Sequence, residues 1–113
     1  MMNVEIDLLV AEYIATHPEY QFPPSGDRHP AVLALGTRIK RSLMDHLGGP
    51  LPYWWAMLES AKAWFPPGCT SREFRIFCSI FEADGNTFWT GRAEFEPLDR
   101  EYDVWRRQVE AAR

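Results

Sequence analysis

Between Pro50 and Gly68 the chain reads PLPYWWAMLESAKAWFPPG, a segment closed by prolines at both ends that holds three of the five tryptophans. Proline fits the first turn of a helix but breaks its interior, so Pro50 and Pro52 open a helix and Pro66 and Pro67 end it. The interval predicts a helix over residues 51–65. On its wheel Leu51, Trp54, Trp55, Leu58, Ala61 and Phe65 share one broad face, which belongs in a core. Tyr53, Met57 and Trp64 form a second apolar stripe, about 110° around the helix at roughly 100° per residue.

A helix that is apolar on two faces is either covered on both or presents one of them to a partner. Both readings are open from the sequence. In the first, the remainder of the domain covers the second stripe, since aromatic stripes at helical spacing are usually core. In the second, Tyr53, Met57 and Trp64 form an exposed patch whose composition matches interface hot spots, which makes them candidate partner-binding residues.

Other segments follow from period and punctuation. Residues 3–16, NVEIDLLVAEYIAT, alternate at first but continue for too long to be a strand, and they predict a helix. Residues 17–30 carry four prolines and one glycine and predict a long loop. Its Asp27 and Arg28 are exposed polar candidates for partner contact. A helix from about Pro30 to Leu47 follows, with Val32, Leu35, Ile39 and Leu43 on its buried stripe and Gly48 and Gly49 at its end. Arg38, Lys40 and Arg41 lie on its polar side.

Beyond Cys69 the stretch EFRIFCSIFEADGNTFWTGRAEFE alternates around Asp84-Gly85, a strong short-range hairpin signal. The register predicted by a turn at those two residues places Arg75 opposite Glu94 and Cys78 opposite Gly91. Phe74, Ile76, Cys78, Ile80, Trp89, Ala93 and Phe95 then share the inner face. Pro97 opens a last helix with Leu98, Tyr102, Trp105 and Val109 as its stripe. The fold expected is a single α+β domain over residues 1–113, mainly helical, in the order helix, helix, helix, two-stranded antiparallel β-hairpin, helix. The free hairpin edges offer a route to a homodimer.

Charge and composition narrow the function classes. A net charge of −4 favours solubility and argues against a duplex-binding role, which needs clustered Lys and Arg. No window approaches the roughly 20 apolar residues of a membrane span. Glu5 and Asp7 stand where a secretory leader carries basic residues, and two cysteines suit a reduced compartment, so a cytoplasmic location is expected.

Searches for chemistry give little. His17, His29 and His46 lack the spacing of a metal site, and Cys69 and Cys78 have no CxxC partner, so no metal is expected. No phosphate-binding, dinucleotide-binding or hydrolase motif occurs, and no cofactor is expected. Cys69 lies in an accessible loop but has only Arg72 nearby to activate it. Three helices and a hairpin are similar to a winged helix in topology alone, with Arg38, Lys40 and Arg41 as phosphate-contacting candidates. The third helix offers only Lys62 to read bases, so nucleic acid is the second choice. The reading with most support is a small acidic non-enzymatic protein of bacterial or phage inhibitor or immunity type, which binds another protein and modulates it. An undetected small enzyme comes third.

Overall fold

The computed structural model describes residues 9, 10, 12, 15, 16 and 37–112. It divides the chain into two compact units, Met1–Ser60 and Ala61–Arg113. Four α-helices are described: α1 (Thr37–Leu47), α2 (Pro50–Trp64), α3 (Arg72–Asp84) and α4 (Glu96–Ala111). A π-turn (Gly85–Trp89) and a short 3-10 turn (Ala93–Phe95) join the last two. Among the described residues there is no strand.

In the first unit, the described positions of the expected first helix have helical backbone, and the Thr16 hydroxyl donates to the Glu12 carbonyl at 3.0 Å. Ile39 and Leu43, two members of the stripe expected in α1, are buried, whereas Val32 and Leu35 lie outside the described residues. Gly48 and Gly49 end the helix at φ of 99° and 124°, and the Gly49 amide closes on the Met44 carbonyl at 2.7 Å. Along α2, Tyr53, Trp54, Ala56, Met57, Leu58, Ser60 and Ala61 are buried. At about 100° per residue these positions span roughly 200° of the helix circumference. Both apolar faces are therefore covered over most of the helix length.

The second unit overturns the hairpin. Residues 72–84 form a helix because Phe74, Phe77, Cys78 and Phe81 stand at i, i+3, i+4 and i+7, and all four are buried. Ser71 caps it, with its side-chain oxygen accepting the Phe74 amide at 3.2 Å. Gly85 adopts φ −56°, so the positive-φ turn expected at Asp84-Gly85 does not form and the helix runs straight through. Neither the inner hairpin face nor the Cys78–Gly91 pairing exists. Glu94 pairs instead with Arg92 at 2.7 Å, two residues away on the same turn. The hairpin edge offered as a dimer surface goes with the strands, and so does the topological likeness to a winged helix.

What replaces the second strand is a local device. The Thr90 amide reaches the Gly85 carbonyl at 2.9 Å, and the Thr90 hydroxyl donates to the same oxygen at 2.6 Å. This closes the π-turn. A Cβ on Gly85 would lie 3.0 Å from Trp89 Nε1, which explains the glycine through space and not through φ. Trp89 itself stacks on Phe95 at 5.1 Å between ring centres and meets Phe81 edge-on at 5.6 Å.

Helix α4 forms as its sequence predicts, with Pro97 in its first turn and Leu98, Tyr102, Trp105 and Val109 buried. Trp105 lies within 5.5–6.5 Å of Phe74, Phe77, Tyr102 and Phe65, measured between ring centres. On the outer side Arg106 bonds Asp103 at 3.2 Å and Glu110 at 3.4 Å. The Arg106 hydrogen bond, aided by Arg107, holds the Asp103 carboxyl below its ordinary range. Before α3, Gly68 takes φ 88° and donates its amide to the Val109 carbonyl at 2.9 Å, tying the end of α4 to the turn after α2.

Two substitutions test this arrangement in chemical denaturation. Ser71→Ala removes a helix cap that a hairpin would not possess, and it should cost about 1 kcal/mol. Gly85→Ala places a better helix former at a helical φ, where the usual effect is a gain of about 0.5–1 kcal/mol. Here it should be destabilising, because Trp89 is held by its stack on Phe95, its edge-on contact with Phe81 and its bond to Asp99, and cannot move aside. A stabilised Gly85→Ala would contradict the packing of the π-turn.

Candidate functional site

Two concavities lie wholly within the second unit and share no lining residue. The first is a cleft of about 300 Å³ against α4. Phe65, Trp105 and Val109 supply its aromatic and aliphatic floor, Val104 and Pro67 its edge, and Lys62, Glu101 and Gln108 its polar rim. Lys62 Nζ bonds Glu101 Oε1 at 2.9 Å across this rim. Val104 keeps 52% of its surface exposed, a cost that a helix position facing water normally avoids with a polar residue.

The second is a notch of about 280 Å³ beside the π-turn, formed by Phe81, Glu82, Gly85, Asn86, Thr90, Asp99 and Tyr102. Two buried aromatics fix its carboxylates. Tyr102 donates its hydroxyl to Glu82 Oε2 at 2.6 Å, and Trp89 donates its indole N–H to Asp99 Oδ1 at 2.8 Å. Phe81 and Tyr102 stack at 4.2 Å and 13° behind the notch. Phe88 projects from the same π-turn with 55% of its surface exposed.

Two groups in this region, Cys78 and Tyr102, hold their protons more tightly than usual. Burial pushes the Cys78 thiol from its ordinary 9.0 up to about 11, and the negative charge of Glu82 adds to the effect. Burial, together with hydrogen bonds to Cys78 and Glu82, likewise raises the Tyr102 phenol. Both stay protonated at neutral pH, which suits a packing role for Cys78 and a hydrogen-bond donor role for Tyr102. Both cysteines are free thiols, Cys69 half-buried and Cys78 buried. Among the described residues no group of three or more His, Cys, Asp or Glu could hold a metal ion, and no helix is long and apolar enough to cross a membrane.

Tyr53 and Met57 are fully buried, and Trp64 is half-buried, so the three do not make a continuous exposed patch. Asp27 and Arg28 lie outside the described residues, as does the side chain of Arg38. Lys40 is half-buried and Arg41 exposed on α1. Val104 was missed, although the wheel marks it: it stands about 130° from the centre of the α4 stripe, an apolar residue on a polar face. Glu82 and Asp99 carry no such signal, because only the π-turn puts them on one notch.

Comparison with protein families, with curated proteins and with solved structures found no match for this chain.

The shifted thiol and phenol predict a pH dependence. A group whose proton is bound more tightly in the folded state stabilises it below the unfolded pKa, and that contribution is lost as pH rises through the folded pKa. For Cys78 the loss falls between about pH 9 and pH 11. Tyr102 acts in the same direction, starting from its ordinary value of 10.0. Denaturation midpoints measured from pH 7 to pH 11 should therefore decline from pH 9 upward, and Cys78→Ala should decline less steeply. Equal slopes would remove Cys78 as a cause.

Proposed function

We propose that the chain is a small acidic protein-binding domain of the cytoplasm, which modulates a partner protein by docking on it and not by catalysis. The observation that carries the reading is the cleft beside Val104. Its exposed valine, aromatic floor and charged rim have the anatomy of an interface centre, where a partner's apolar side chain is buried and polar groups seal the edge. Small inhibitors and immunity proteins of bacteria and phages act in this manner, and the net charge of −4 suits such a soluble binder.

The cleft replaces the Tyr53, Met57 and Trp64 patch as the favoured contact, because an interface must expose the side chains that make it. Binding at the cleft is carried by buried apolar area, so it should depend only weakly on salt, whereas phosphate contacts weaken steeply.

Val104→Asp tests the reading. The position is exposed, so the substitution should change stability by no more than about 0.5 kcal/mol. In affinity purification from the native host, the wild-type protein should retain a stoichiometric protein that the variant loses. Titration of that protein should show a loss of about 2 kcal/mol, roughly thirtyfold in Kd. Retention of the partner by Val104→Asp, or recovery of nucleic acid in its place, would refute the reading.

A further inference from the structure

We draw no further inference here: the strongest candidate, the cleft beside Val104 on α4, on whose floor Trp105 carries a buried indole N–H without a hydrogen-bond partner among the described residues, belongs to the site already described, and nothing in the structure shows what covers it.

Discussion

The second unit depends on how its aromatic rings fill space. Phe65, Phe74, Phe77, Phe81, Trp89, Phe95, Tyr102 and Trp105 form one continuous run of ring contacts, with neighbouring centres 4.2–6.5 Å apart. Most meet edge-on or tilted, the arrangement that the ring quadrupole favours, and two pairs stack flat. Side chains this large cannot alternate across a two-stranded sheet and still be covered. They need a surface that curves around them, which a pair of helices provides. The chain after α2 is thus committed to helix by the volume of what it must bury.

That commitment explains where the sequence misled. Phe74, Ile76, Cys78 and Ile80 alternate, but Phe74, Phe77, Cys78 and Phe81 also keep helical spacing, and the two periods overlap in the same eight residues. Three signals favoured the helix. Ser71 stands in the cap position before an apolar run, the helix of 13 residues exceeds ordinary strand length, and the spacing joins the largest side chains. Asp84-Gly85 outweighed them as a turn signal, since Gly after Asp ordinarily means positive φ. Here Gly85 is small because Trp89 is close. The same letter in the sequence answers two different physical needs.

Elsewhere the pattern was decisive. The α4 stripe Leu98, Tyr102, Trp105 and Val109 is buried as its 3.6-residue period requires, and prolines and glycines bound α2 where they were read to do so. The two open readings of the α2 second stripe divide at Tyr53 and Met57, which are buried. Candidate sites were less legible because they are tertiary. Val104 leaves a trace on the helical wheel, since an apolar residue among polar neighbours is visible in one dimension. The meeting of Glu82 with Asp99 leaves none, because 17 positions and a π-turn separate them.

The same packing that forms the core also sets the electrostatics of the surface above it. Trp89 and Tyr102 each turn an apolar body inward and give their single polar hydrogen to a carboxylate at the surface. Each bond satisfies a donor that burial would otherwise leave costly, by roughly 1–3 kcal/mol. In doing so it fixes a negative charge in place without neutralising it. A lysine or arginine at either position would satisfy the carboxylate and cancel its charge. Arg106 does this for Asp103 and Glu110 further along α4, where the charges are balanced locally. At the notch the neutral donors Trp89 and Tyr102 hold Asp99 and Glu82, and Arg106 also stands 3.8 Å from Glu82 Oε2. The two bonds therefore serve the core first: they satisfy buried donors, and the position of the two carboxylates follows from that.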